Sequence, residues 1–207
     1  MTLGPYHRLY ESALDNILWN VGPGRLVARV SEFCQPCRAF DAGCGDGKNA
    51  IYLEKLGYDV TGWDVSRPAI DGLHHRFERQ RVTPRGRYLL ADVCTSIPYA
   101  NDSFGLLVSY GLFHCLDVES RATVHRALQF LVQPGGVLLF TTLTDRIPLP
   151  VGHCTPGLSL ANELEVEKLF VGWDVIEWKA GEIDESHPPL VGDHKHSALW
   201  VVARRLA

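Results

Sequence analysis

Residues 41–47 read Asp-Ala-Gly-Cys-Gly-Asp-Gly, and the chemistry of such a run lies in its backbone. Glycines remove the Cβ atoms that would keep a ligand away, so a turn of this kind at the carboxyl end of a strand lets backbone amides approach a polar group. A dinucleotide fingerprint needs a third glycine where Lys48 stands, and a phosphate loop needs a hydroxyl where Asn49 stands. Both nucleotide readings fail on those residues. Two carboxylates extend the pattern. Asp64, followed by Val65, closes a second apolar segment, where a carboxylate can accept both hydroxyls of an adenosine ribose. Capping the next helix is the other use open to Asp64, but Ser66 is better placed for it. Asp92 follows a third segment and could accept from an adenine amino group, with the Val93 amide donating to a ring nitrogen.

Other reactive side chains carry two readings each. His114 lies just past a fourth apolar segment, where it can act in a substrate pocket as a general base or hold a structural bond to the backbone. Trp19 and Tyr10 can wall an acceptor site or serve as core residues of an amino-terminal helix. Cys44 reads as a small residue packed beneath a ligand. Cys34 and Cys37 have redox spacing but precede a strand, so they read as ordinary thiols. Residues 182–196 hold Glu182, Asp184, Glu185, His187, Asp193, His194 and His196. Their spacing matches no standard metal site, so a solvated loop and no metal are expected.

Elements that position these groups follow from periodicity. Apolar pairs over residues 5–18 recur at helical spacing, and Leu26, Val27, Val30 and Phe33 suit a second helix. Strands are expected at 38–42, 58–64, 86–91, 104–110 and 137–142. The helices between them include one stopped by Gly57 and one capped by Asp117. A helix over 159–170, then strands at 173–178 and 196–203 with no helix between, call for an antiparallel final pair. The expected fold is therefore a doubly wound, Rossmann-like α/β sheet of seven strands, one of them antiparallel, with helices on both faces. Residues 1–207 form one unit, with 1–37 a helical N-terminal appendage and 38–207 the core. Topology brings the loop after the sixth strand to the ligand side. Residues 182–196 are thus expected to wall the acceptor site, with His194 or His196 touching substrate.

Composition agrees with a globular chain: 207 residues, 46% hydrophobic, 21% charged, net charge −4 and pI about 6.1. No basic excess suits nucleic acid or an anionic membrane. Charged residues from His7 to Arg29 interrupt any signal-peptide core, and the six cysteines are scattered. A cytoplasmic location is the expectation, with no nucleic-acid or membrane partner.

The ordered set resembles the class I S-adenosylmethionine-dependent methyltransferases. It comprises the glycine loop, Asp64, Asp92-Val93, Ile97-Pro98-Tyr99 through Asp102-Ser103-Phe104, and Pro134-Gly135-Gly136. Trp19-Asn20-Val21-Gly22, Gly111-Leu112-Phe113-His114 and Gly172-Trp173 are similar to the branch holding thiopurine and tellurite-resistance enzymes. Gly105 departs from it, since many relatives have an acidic residue there. The resemblance implies S-adenosylmethionine as cofactor, with Asp41, Gly43 and Gly45 at its methionine end. It gives Asp64 to the ribose, Asp92 and Val93 to the adenine, and Tyr110 to the pocket wall. A small acceptor such as a thiol, halide, metalloid, or metabolite oxygen or nitrogen is expected. A cofactor-binding protein without turnover is the alternative.

Overall fold

A computed structural model describes residues 4–19, 22–95, 99–150, 153, 157–187 and 191–206. Asn20, Val21, Ile97, Pro98 and Cys154, which the sequence reading also used, lie outside them. Seven strands form one sheet: β1 (Arg38–Ala42), β2 (Asp59–Asp64), β3 (Arg87–Leu90), β4 (Phe104–Tyr110), β5 (Val132–Thr144), β6 (Trp173–His187) and β7 (Val191–Arg205). Their order is β3-β2-β1-β4-β5-β7-β6. The first five pair in parallel, and β7 runs antiparallel to both β5 and β6.

Strand alternation sorts the core onto two faces. Ala39, Leu106, Val108, Val137 and Leu139 face one side, packed with α2 (Lys48–Lys55) and α3 (Arg67–Gln80). Phe40, Leu107, Leu138, Phe140 and Val201 face the other, packed with α4 (Val118–Phe130) and α5 (Glu163–Glu167). Local signals act as expected at several ends. The Ser66 hydroxyl caps α3 by accepting from the Ala69 amide, with a proline in its first turn, and Gly57 takes a left-handed φ of +96° after α2. Asp117 precedes α4, but its side chain makes no capping bond. Buried Arg121 ties α4 to α5 through Glu165.

Two expectations change. Among the described residues, the amino-terminal stretch holds α1 (His7–Ser12) and a 3-10 turn, and a second 3-10 turn spans Val27–Glu32. Ala13 turns extended and ends α1, and Asp15 and Asn16 in the 3-10 turn that follows adopt positive φ. Within the charged segment, residues 182–187 and 191–196 are strand rather than loop. Its two halves continue β6 and β7, in register through Ile183↔His196 and Glu185↔His194.

Gly105 also finds its reason here. A Cβ on it would lie 2.8 Å from Cys37 Sγ, so a larger side chain there requires Cys37 to shift. Cys34 and Cys37 approach to 3.6 Å between sulfurs as free cysteines beside that glycine. No helix among the described residues is long and apolar enough to cross a membrane.

Candidate active site

The carboxyl ends of β1, β2 and β4 converge, and the cavity they border measures about 540 Å³, a size suited to a cofactor with a small second ligand. Gly43, Cys44 and Gly45 form its floor, and Asp64 with Val65 one side. Asp92 and Val93 lie further along that side, while Tyr110 and His114 stand across from them. Tyr10 and Trp19 reach in from the amino-terminal segment. The sequence-predicted residues are thus brought together, with three exceptions. Asp41 is buried beneath the loop, and His194 and His196 stand behind Glu185, outside the cavity lining.

The loop works differently from the expectation that its amides face a ligand. The Gly43 and Cys44 amides donate to the Trp63 carbonyl at 2.8 and 3.0 Å, and the Gly45 amide donates to Asp64 Oδ2 at 2.9 Å. These donors are committed within the fold, so the loop contributes space. Gly45, at φ +55°, admits the Tyr10 hydroxyl 2.4 Å from where a Cβ would stand.

Asp64 accepts one bond on each oxygen, from the Gly45 amide on Oδ2 and the Ser66 amide on Oδ1. The Val65 amide also acts on the carboxylate, and part of its capacity of about four lone-pair sites is left for the cavity. Burial raises its pKa, and the Ser66 and Gly45 amides pull it back toward the charged form. Asp41, with Oδ2 lacking a hydrogen-bond partner among the described residues, is pushed up to about 7 by burial and by Asp64, against the pull of Lys48. Burial also raises the Cys44 thiol well above its ordinary value, which keeps it a neutral packing group.

Sequence reasoning missed what holds the roof. Asp46, fully buried, pairs with Arg76 at 2.9 Å and accepts the Leu18 and Trp19 amides at 2.8 and 2.9 Å. Arg76 in turn donates to the Trp19 carbonyl. Trp19 Nε1 then donates to the Tyr10 hydroxyl at 2.8 Å. Lys48 lies 5.1 Å from the Trp19 ring and 5.8 Å from the Tyr110 ring, a cation between two aromatic faces.

His114 is buried, and its Nδ1 accepts the Leu143 amide at 3.1 Å. That bond leaves the proton of the neutral ring on Nε2. Burial pushes the pKa down to about 3, so the ring stays neutral at ordinary pH. A neutral Nε2–H is a hydrogen-bond donor, and the general-base role expected of His114 does not suit this tautomer. The backbone bond of the structural reading is present, with an amide as the partner.

S-adenosylmethionine fits this donor set. The paired lone pairs of Asp64 match two ribose hydroxyls, and the part-buried Asp92 carboxylate suits an amino group. Asp41 Oδ2, which lacks a hydrogen-bond partner among the described residues, lies beneath the loop, and a cationic group bound above it would favour the charged form of this raised carboxyl.

Residues 39–136 match the family described as a methyltransferase domain. A Haemophilus influenzae protein named probable S-adenosyl-L-methionine-dependent methyltransferase TehB is 28% identical over 156 residues, covering 73% of this chain and 51% of the relative. The chain thus spans about half the length of the curated relatives it matches first. The crystal structure of Haemophilus influenzae TehB superposes with a TM-score of 0.75 at 24% identity, covering 88% of this chain and 62% of that one. The Burkholderia thailandensis 1,6-didemethyltoxoflavin-N1-methyltransferase, solved with its substrate and S-adenosylhomocysteine, superposes with a TM-score of 0.65 at 19% identity, covering 88% and 78% of the two chains. The family match spans β1 to β4 and the loops at their carboxyl ends, and over that region the chain is similar to methyltransferase domains and to a protein named as an S-adenosyl-L-methionine-dependent methyltransferase.

Proposed function

We propose that this chain transfers a methyl group from S-adenosylmethionine to a small-molecule acceptor. The observation that carries the reading is one cavity with two chemically different ends. Of the residues that line it, Asp64, Asp92 and the glycine loop belong to β1, β2, β3 and the turns after them, and Thr142 and Glu185, with His114 beside β5, to the other half of the sheet order. Bound there, S-adenosylmethionine supplies a methyl group activated on a sulfonium, with a neutral thioether as leaving group.

This chain's residues then have modest tasks. Asp64 holds the ribose, Asp92 and Val93 border the adenine, and Asp41 lies beneath the methionine end, where a cationic group would draw it to the charged form. Tyr10, Trp19 and Tyr110 close the cavity against water, which favours transfer by desolvation and alignment. His114 donates its Nε2 proton to the acceptor and orients it. A neutral ring of this tautomer removes no proton, so an acceptor that arrives already deprotonated, or carries a lone pair, suits the site best. The cytoplasmic location expected from the scattered cysteines belongs to this reading.

An acceptor panel of thiols, halides, metalloid oxyanions and small hydroxyl or amino compounds, read by S-adenosylhomocysteine release, tests it. Turnover with one class is expected. Substituting His114→Ala should raise the acceptor KM with little change in kcat, and the deficit should stay constant between about pH 5 and 9 because the group does not titrate there. A deficit that shrinks as pH rises would restore the base. Tight S-adenosylhomocysteine binding with no turnover on any acceptor would favour the non-catalytic sensor or assembly partner.

A further inference from the structure

Three imidazoles from two segments converge beside the acceptor end of the cavity. His194 and His196 stand two apart on β7, so strand alternation puts them on one face, and their Nε2 atoms are 3.0 Å apart. His153, from the stretch after β5, packs edge-on against both, with ring centroids 5.5 and 5.4 Å away. One nitrogen from each ring lies within 4.8 Å of the others. Glu185, opposite His194 in the ladder, brings Oε2 to 3.6 Å from His196 Nε2.

Imidazole nitrogens facing each other this closely are bridged either by the N–H of one ring or by a metal ion. The tautomer of His194 bears on the choice. Its Nδ1 lies 2.7 Å from the Gly192 carbonyl oxygen, which can only accept. Nδ1 therefore donates, and Nε2 of the neutral ring turns its lone pair toward His196. A backbone carbonyl gripping the far nitrogen is how proteins aim a histidine at a metal. Zinc–imidazole bonds of about 2.0–2.1 Å set tetrahedral ligands about 3.3 Å apart. The 3.0 Å pair is already near that spacing, and rotation of the His153 side chain closes the rest.

We propose that His153, His194 and His196 bind one divalent transition-metal ion of the zinc class, beside Glu185 at the acceptor end of the pocket. Three neutral imidazoles leave the ion its full charge and a fourth position for an exchangeable ligand. The surroundings favour a dication, since Asp184, Glu185 and Asp193 line the adjoining surface cleft with His194. Lys195 there is held by Glu182 at 2.8 Å. A role in methyl transfer rests on the reading above. Asp184 and Glu185 in the cavity wall repel an anionic acceptor, and an ion beside them reverses the local field.

Cobalt titration of the full chain, stripped with chelator, tests the site. One equivalent of Co²⁺ is expected to bind with the intense visible bands of tetrahedral coordination, and Zn²⁺ should displace it. His194→Gln and His153→Gln should each weaken Co²⁺ binding by about a hundredfold or more. Both are less buried than His196, and far-UV circular dichroism checks that they fold. Absence of the visible bands would overturn the proposal and leave a proton-bridged pair. So would wild-type Co²⁺ affinity in both variants, or a thiolate charge-transfer band placing the ion on Cys34 and Cys37. Calorimetry with S-adenosylhomocysteine on the same stripped protein keeps the readings separate: failure to bind contradicts the pocket assignment and does not bear on the cobalt spectrum.

Discussion

Substituting Asp64→Ala should weaken S-adenosylhomocysteine binding by on the order of 1.5–3 kcal/mol, about ten- to a hundredfold or more. Two losses combine. The ribose hydroxyls lose a charged acceptor, and the Gly45 and Ser66 amides that donate to Asp64 at 2.9 Å lose theirs. The second loss loosens the loop that shapes the floor, so some of the effect should appear as lower thermal stability. Asp64→Asn should sit between wild type and alanine, because one acceptor oxygen is kept. Isothermal calorimetry reads this directly, and unchanged affinity in Asp64→Ala would remove the ribose assignment.

Breaking the buried pair under the roof should have a still larger effect on stability. Asp46→Ala leaves the Arg76 guanidinium, 3% exposed, without its counter-charge and removes the acceptor for the Leu18 and Trp19 amides. Removing one partner of such a buried pair costs about 3–5 kcal/mol. Denaturant unfolding should show a midpoint moved by that amount with the slope unchanged. The same variant should bind S-adenosylhomocysteine less well, because the segment carrying Trp19 is no longer tied over Gly45. A cost below about 1 kcal/mol would mean the pair is solvated and the roof is held by other contacts.

Much of this architecture was legible because local signals and global fold agree. The alternation of apolar strands with capped helices gave the parallel order, and two final strands without a helix between them gave the antiparallel pair. Asp64, Asp92 and Tyr110 were legible because each closes or directly follows a strand, where ligands bind in such sheets. The rest depended on contacts that periodicity does not encode. Asp46 sits in the glycine loop, while Arg76 is on α3, and no spacing rule links them. The break after Ser12 comes at extended Ala13, and positive φ at Asp15 and Asn16 keeps the chain from resuming the helix, against a helical apolar pattern. Residues 182–187 and 191–196 are rich in charge, so they show no buried alternate face, yet backbone pairing carries them onward as strands. His153 joins His194 and His196 only through the path of the chain after β5, which no motif predicts.

The crystal structure of the complex with S-adenosylhomocysteine tests the central claim most directly. The ribose hydroxyls are expected within hydrogen-bonding distance of both Asp64 oxygens, about 2.5–3.0 Å. The adenine should lie against Val93 beside Asp92, and the thioether sulfur should face the end walled by Tyr110 and His114. A ligand bound outside this cavity, or one whose ribose makes no contact with Asp64, would contradict it.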